Sequence, residues 1–435
     1  AEFGLEIQKM DKEERRKKMG GQRLNRLFFI AVMIVVLILS VFGCQNSSST
    51  SEEAAGSSTV PGSGNSPENA SSSNQADGEE IKIGFISSST GLASSQGKPE
   101  MDVARLMEEK INAEGGINGR PVKIIAYDDE SDETKAVLAI KKLITQDNVP
   151  IVVGGTTTGN SLAMLEVAQS EKVPYISMAA ATEIVQPVKE WVFKTAQNSD
   201  LMIKSTLEFL RENNITKVAW MHINDAYGED GYKFFLKMSP DYGVEIVAVE
   251  TFNGSDTDMT AQLSKIKLKN PQALVVWTRP PSGSVLTKNF RQLGFDIPLI
   301  HSYGMANQAF LDQAGTFANG VIMAGGKFLV KDSLPDSDPQ KELLMEFTKE
   351  YKDKFGYEPT NFSGYAYDGI ALAVEAIKNV GTDRAKIRDY LENNIKDFIG
   401  ITGVFSFSPQ DHSGLGEDSV AMIEIKDGRW APYEK

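Results

Sequence analysis

The sequence predicts an α/β protein of two lobes, each a parallel sheet with helices on both faces, behind a long N-terminal segment that does not fold. Three observations predict it. Across residues 79–435 short apolar runs alternate with amphipathic segments of helical period, the pattern of βαβ units. The alternation restarts at Asp200, so there are two such units. Roughly the first 80 residues lack the pattern and run from basic to apolar to serine-rich. With 41% apolar and 24% charged residues, the patterned part can bury a core. A formal net charge of -14 argues against a nucleic-acid partner, which calls for a basic footprint.

Taken in order, Lys12, Arg15, Arg16, Lys17, Lys18, Arg23 and Arg26 precede the run "LFFIAVMIVVLILSVF" at 27–42. As a helix this run would rise about 24 Å, short of a hydrocarbon core of roughly 30 Å. A basic region before a short apolar run is the layout of an export signal, with the positive charge held on the cytoplasmic side. The sequence opens on Ala1, and Met10 or Met19 are candidate starts. "VFGC" ends in Cys44, the only cysteine, and resembles a lipobox, whose cysteine is lipidated and becomes the new N-terminus. Phe42 stands where a small residue is usual; the plainer reading keeps 27–42 as an uncleaved anchor. Both readings tether the remainder outside a membrane. Residues 45–78 hold eleven serines and almost no large apolar residue, so they cannot offset their ordering entropy. The expected tether has an r.m.s. reach of roughly 30–35 Å.

The first unit reads as strand "IKIGFI" (81–86), then a helix around 101–112 with Val103, Ala104, Met107 and Ile111 on one face. Strand "PVKIIAYDD", a helix over 134–146, strand "VPIVVGG", a helix and strand "VPYISM" follow. From Asp200 the order is helix, "KVAWMHI", helix from Tyr227, "VEIVAVETF", helix, "ALVVWT", helix, "PLIHSYG", helix, "GVIMAGG". Long helices over 338–355 and 362–379 precede two closing strands, "GVFSFSP" and "VAMIEIKDG". A ligand is expected between the two units. In "VPIVVGGTTTGNSLAM" a strand ends in two glycines and three hydroxyls before a helix begins near Asn160. The partial positive charge and bare N–H groups of a helix start favour an anion, which makes Thr157 and Thr158 a candidate carboxylate cradle. Simple capping by Thr158 or Asn160 is the alternative. Arg279 and His301 sit at strand ends facing the same gap, either binding a second polar group or lying solvated on its rim.

"IKIGFISSSTGLASSQGK", "INAEGGINGRPVKIIAYDDE", "VVGGTTTGNS", "VPYISMAAAT", "NDAYGEDG", "FSGYAYDGIALAVEAI" and "GITGVFSFSPQDHSGLG" resemble the type I solute-binding proteins of bacterial ABC importers. The branched-chain amino-acid binders are the best known of these, and the resemblance covers 80–435 in order. It implies a type I periplasmic-binding-protein fold of two Rossmann-like lobes, with crossovers near 195–199, 326–330 and 401–406. The expected domains are a basic N-terminus and signal at 1–43, a tether at 44–79, lobe one at 80–197 plus 328–402, and lobe two at 198–327 plus 403–435. The implied partners are ABC permease subunits and, through Cys44, the membrane.

The resemblance also implies residue roles. The Thr158 hydroxyl would hold a ligand carboxylate, main-chain groups of Ala179 and Ala181 would contribute, and Tyr227 would close over the ligand; a core tyrosine is the plainer reading of Tyr227. Gln96 stands where an aromatic contact is common. Amino-acid binders carry a glutamate where this chain has Tyr303, and that glutamate pairs with the α-ammonium. An unpaired cation in a closed cleft costs several kcal/mol. Either Asp225, otherwise a helix cap, supplies the charge, or the ligand is a small 2-oxo, aromatic or aliphatic carboxylate rather than a branched-chain-type amino acid. No catalytic nucleophile motif, P-loop or dinucleotide loop appears, and His222, His301 and His412 are too dispersed for a metal, so neither enzyme activity nor cofactor is expected. The runner-up function is a ligand-sensing accessory protein of a signalling receptor with the same bilobed fold.

Overall fold

The computed structural model describes residues 79–434. The export segment, Cys44 and the serine-rich tether lie outside the described residues. No helix among the described residues is long and apolar enough to cross a membrane.

The first sheet is built from β1 (Ile81–Ser87), β2 (Val122–Asp128), β3 (Val152–Gly154), β4 (Tyr175–Ser177) and β5 (Val192–Lys194). All pairings are parallel, in the order β2-β1-β3-β4-β5. The interleaved helices are α1 (Ser94–Ala113), α2 (Glu133–Thr145) and α3 (Thr158–Ser170). Helix α1 starts earlier than its apolar stripe indicates, because its first turns press on the end of β1. A Cβ at Gly97 would lie 2.2 Å from the Ser88 carbonyl group, and this close approach carries Gln96 to the carboxyl end of β1.

The second lobe begins with α4 (Ser199–Glu212), β6 (Lys217–Ile223), α5 (Ala226–Met238), β7 (Glu245–Phe252) and α6 (Thr260–Lys267). It continues through β8 (Ala273–Trp277), α7 (Ser282–Gln292), β9 (Leu299–His301), α8 (Gln308–Ala314) and β10 (Val321–Gly326). The chain then returns to the first lobe as α9 (Lys341–Phe355), α10 (Asn361–Val380), α11 (Arg384–Asn394) and the short pair β11 (Phe398–Ile399) and β12 (Val404–Phe405). Strands β13 (Val420–Lys426) and β14 (Arg429–Pro432) complete the second sheet in the order β14-β13-β10-β9-β8-β6-β7. Central strands are apolar on both faces, as interior parallel strands must be: every residue of β8 is buried. Trp220 of β6 stacks on Trp277 of β8, ring centroids 5.9 Å apart. Fully buried side chains of this class contribute about 1.5–3 kcal/mol each.

The third connection lies later than the sequence suggests. Residues 403–414, expected in the second lobe, pack on the first. Phe405 and Phe407 are fully buried there, the His412 ring stacks on Phe193 at 4.2 Å, and the Lys194 N–H donates to the His412 carbonyl. The apolar alternation of "VFSF" completes the first lobe's core instead of adding a long strand, and only Val404 and Phe405 pair as one.

The connections meet at Gln197. Its amide Nε2 donates to the Thr402 carbonyl at 2.9 Å and to the Ser419 carbonyl at 3.4 Å. The Thr402 hydroxyl donates to the Thr195 carbonyl at 3.1 Å. Buried Asp368 of α10 accepts the Ile401 N–H at 2.6 Å and the Thr402 N–H at 2.8 Å.

Candidate functional site

A cavity of about 370 Å³ of atom-free space, part of it open to solvent, lies between the lobes. The first lobe supplies Gln96 from α1, Thr156, Thr157 and Thr158 from the β3–α3 turn, Met178 and Ala180 from the loop after β4, and Phe362 and Tyr365 from α10. The second lobe supplies Tyr227 from α5, Arg279 from the loop after β8, and Tyr303 and Gly304 from the loop after β9.

The three threonines have different duties. Thr156 donates its hydroxyl to Glu100 and accepts the Ser88 N–H at 2.8 Å, so both its functions are spent. Burial holds the Glu100 carboxyl well above the usual carboxylate range. Thr157 is the cap of α3, its side chain accepting the Asn160 N–H at 3.2 Å. Thr158 is therefore the first helical residue rather than the cap, and its buried hydroxyl oxygen has no partner. A hydroxyl without a partner beside the positive end of a helix of thirteen residues has the chemistry to donate to an anionic oxygen.

On the second lobe the aromatic rings brace one another. Tyr227 lies 5.6 Å from Trp277 and 6.0 Å, edge-on, from Tyr303. The Tyr227 hydroxyl accepts the Gly304 N–H at 3.1 Å. Tyr303 donates its hydroxyl to the Gln197 carbonyl at 3.1 Å. Burial pushes both phenols upward, so both are neutral near pH 7. Gln96 reaches across from the first lobe, with Nε2 at 3.5 Å from the Gly304 carbonyl.

The geometry corrects several expectations. Asp225 does not line the cavity. One of its oxygens accepts the N–H groups of Tyr227 and Gly228, both at 3.0 Å, and the other pairs with Arg279 at 2.7 Å. His301 does not face the gap either. It lies on the sheet face covered by α7 and α8, bonded through Nε2 to the Thr287 hydroxyl at 2.8 Å with its ring edge-on to Phe310. Burial pushes its pKa down to about 3, with Arg291 adding to the effect, so it is a neutral core residue. Ala179 and Ala181 flank the cavity-lining residue, which is Ala180; the carbonyls of Ala180 and Ala181 are turned back to accept from Lys194. Gln96, Thr157, Thr158, Tyr227, Arg279 and Tyr303 do converge on one cavity.

Phe362 and Tyr365 were not anticipated. They stand three residues apart just inside α10, which opens with a capping box at Thr360 and Ser363, and that spacing puts both rings on one helix face. Among the described residues that line the cavity none is acidic, and Arg279 alone is charged.

The profile of the Periplasmic binding protein family matches residues 80–429. The leucine-, isoleucine-, valine-, threonine- and alanine-binding protein of Pseudomonas aeruginosa is 26% identical over 321 residues, covering 72% of this chain and 82% of that protein. An extracellular ligand-binding receptor from Rhodopseudomonas palustris HaA2 superposes with a TM-score of 0.77 at 30% identity, covering 82% of this chain and 100% of the other. The branched-chain amino acid transporter substrate-binding protein of Streptococcus pneumoniae, solved with isoleucine, gives 0.72 at 28% identity with coverage of 82% and 100%.

Proposed function

The chain belongs to the periplasmic binding protein family, and from that premise we propose that it captures a small carboxylate lacking an α-ammonium and delivers it to the permease of an ABC transporter. Members of this family bind solutes outside the cytoplasm and are not enzymes, which fits a site built to hold and release. The observation that carries the ligand class is the unpartnered Thr158 hydroxyl at the start of α3, in a cavity whose one charged lining residue is Arg279.

A carboxylate placed there meets the helix N-terminus and one hydroxyl donor, with no need of a formal countercharge. An α-ammonium would face a neutral Tyr303 and the guanidinium of Arg279, at a cost of several kcal/mol. Tyr227, Tyr303, Phe362 and Tyr365 offer ring faces and edges to a flat or branched apolar body. Bridging both walls, such a ligand stabilises the closed form of a hinged pair of lobes. We also propose that Cys44 carries a lipid that tethers the protein to the membrane.

The names of relatives favour a second reading, an aliphatic amino acid. In that case Asp225 must leave Arg279 and turn to the ammonium. Leucine and 4-methyl-2-oxopentanoate share a skeleton and differ in ammonium against oxo, so thermal melts with each decide the matter. At 100 times Kd a ligand adds about 2.7 kcal/mol of stability. A shift with the oxo acid or with benzoate, and none with leucine, is expected; a shift with leucine alone overturns the carboxylate reading.

A further inference from the structure

The loop 179–182, whose Ala180 faces the cavity, is held from two sides. Behind it, within the first lobe, Lys194 at the end of β5 is fully buried. Its ammonium donates to the Ala180 carbonyl, to the Ala181 carbonyl at 3.3 Å and to Asn198 Oδ1 at 2.9 Å. In front of it stands the second lobe. Asp230 of α5, 3% exposed, accepts the Thr182 N–H through Oδ2 at 3.2 Å, and Asp200 of α4 bonds the Thr182 hydroxyl at 3.2 Å. Burial pushes Lys194 down to about 7, opposed by the negative charges of Asp230, Asp200 and Asp411. Burial likewise raises Asp230, opposed first by hydrogen bonds from the Ser199 hydroxyl and the Thr182 N–H and then by the charge of Lys194, with Glu183 adding to the rise.

A buried ammonium with three neutral acceptors lacks a countercharge of its own within those contacts, and the acid nearest in effect belongs to the opposite lobe. Where the lobes meet, a second buried charge from the opposite lobe is thus set against the loop that Lys194 holds. We propose that Lys194 and Asp230 form a buried interlobe latch. Closure docks Asp230 on the Thr182 amide in the field of Lys194, so the closed form is held through the binding loop even before a ligand arrives. Both residues are positioning residues, since neither lines the cavity.

The test needs no ligand. Spin labels are placed in the full chain, carrying Cys44→Ser, at Leu138→Cys of α2 and Leu268→Cys just after α6, sites 61% and 81% exposed. Pulsed electron paramagnetic resonance then measures the distance between lobes. Two variants cut the contact from opposite sides. Asp230→Ala removes the acceptor. Thr182→Pro removes the donor at the first residue of a 3₁₀ turn, where proline is tolerated, and Ala181 at φ -57, ψ 137 already suits a residue before proline. Both variants are expected to lower the closed-to-open ratio, roughly 10- to 100-fold for loss of one charged hydrogen bond. Distance distributions identical to the parent in both, or a parent with no closed population, overturn the latch.

Asp230→Asn separates charge from geometry, because its side-chain oxygen still accepts from Thr182. Closure then favours Lys194 without its proton, so the closed fraction is expected to climb with pH above about 7, by up to about tenfold per unit. A profile no steeper than the parent's removes Lys194 from the device. The carboxylate reading is tested by melts of the parent with ligand and the latch by distances without ligand, so the two fail separately.

Discussion

Two of the three consecutive threonines at the cleft are already committed, Thr156 to Glu100 and Ser88 and Thr157 to the helix cap, which leaves the Thr158 hydroxyl alone without a partner. Thr158→Val keeps the shape and deletes that hydroxyl. Affinity for the carboxylate that shifts melting is expected to drop roughly 10- to 100-fold, the worth of a hydrogen bond to a charged group. The ligand-free melting temperature should hold or rise, since a buried hydroxyl without a partner costs stability. Calorimetric titration checks the first and a melt the second; an unchanged affinity moves the carboxylate elsewhere. At this scale a helix start is readable to within two residues: the sequence places it near Asn160, and the helix begins at Thr158 with Thr157 as its cap. The sequence misleads where function depends on which face of a sheet a side chain takes. His301 ends a three-residue strand, too short for alternation to show its side, and it points into the core. Asp225 was open between cap and ligand contact, and the Arg279 pairing that settled it joins residues 54 positions apart, invisible to local pattern.

Among elements, the connections between lobes are fastened to α10 through Asp368. The Asp368 carboxylate takes hydrogen bonds from Ile401 and Thr402, which favour its charge, while burial opposes it; burial prevails and pushes the pKa up to about 7 from an ordinary 3.8. The folded state thus keeps a proton that the unfolded chain releases near pH 4. The resulting contribution is greatest at low pH, declines as pH climbs towards 7 and is level above it. Asp368→Asn cannot titrate, so the melting temperature of the parent minus that of the variant should fall between pH 4.5 and 7.5. A constant or widening gap refutes the assignment. Strands and helices of the two α/β units were legible because interior parallel strands are apolar runs and their helices carry a stripe. The short α11 escaped notice, although Asp383 caps it and Ile387 and Leu391 stand four apart on its buried face. The third connection is hard to place from sequence because "VFSF" alternates like a strand while serving as packing for the other lobe.

For the whole molecule, the proposed tether makes a statement about location that the folded part does not carry. If Cys44 is lipidated, cells fed radiolabelled palmitate will incorporate label into the protein, and Cys44→Ser will remove the label and release the protein from the membrane fraction. Its ligand-induced melting shift should be unaltered, because the described fold begins at residue 79. Label that persists in the serine variant, or a parent without label, refutes the anchor. The bilobed arrangement itself was evident from the restart of the pattern at Asp200. The contents of the cleft were half evident: loops after strands could be named, but the aromatic wall from α10 comes from a segment some 200 residues further along the chain than the threonine turn (362 against 158).

The Tyr303 hydroxyl rests on the main chain of Gln197, and the Gln197 side chain secures the neighbouring crossing. One wall of the guest chamber is thus bolted to the pivot. Reshaping that wall for a different guest retunes the stiffness of the bend in the same stroke, so a descendant of this chain that changes its diet must also reset how readily it flexes.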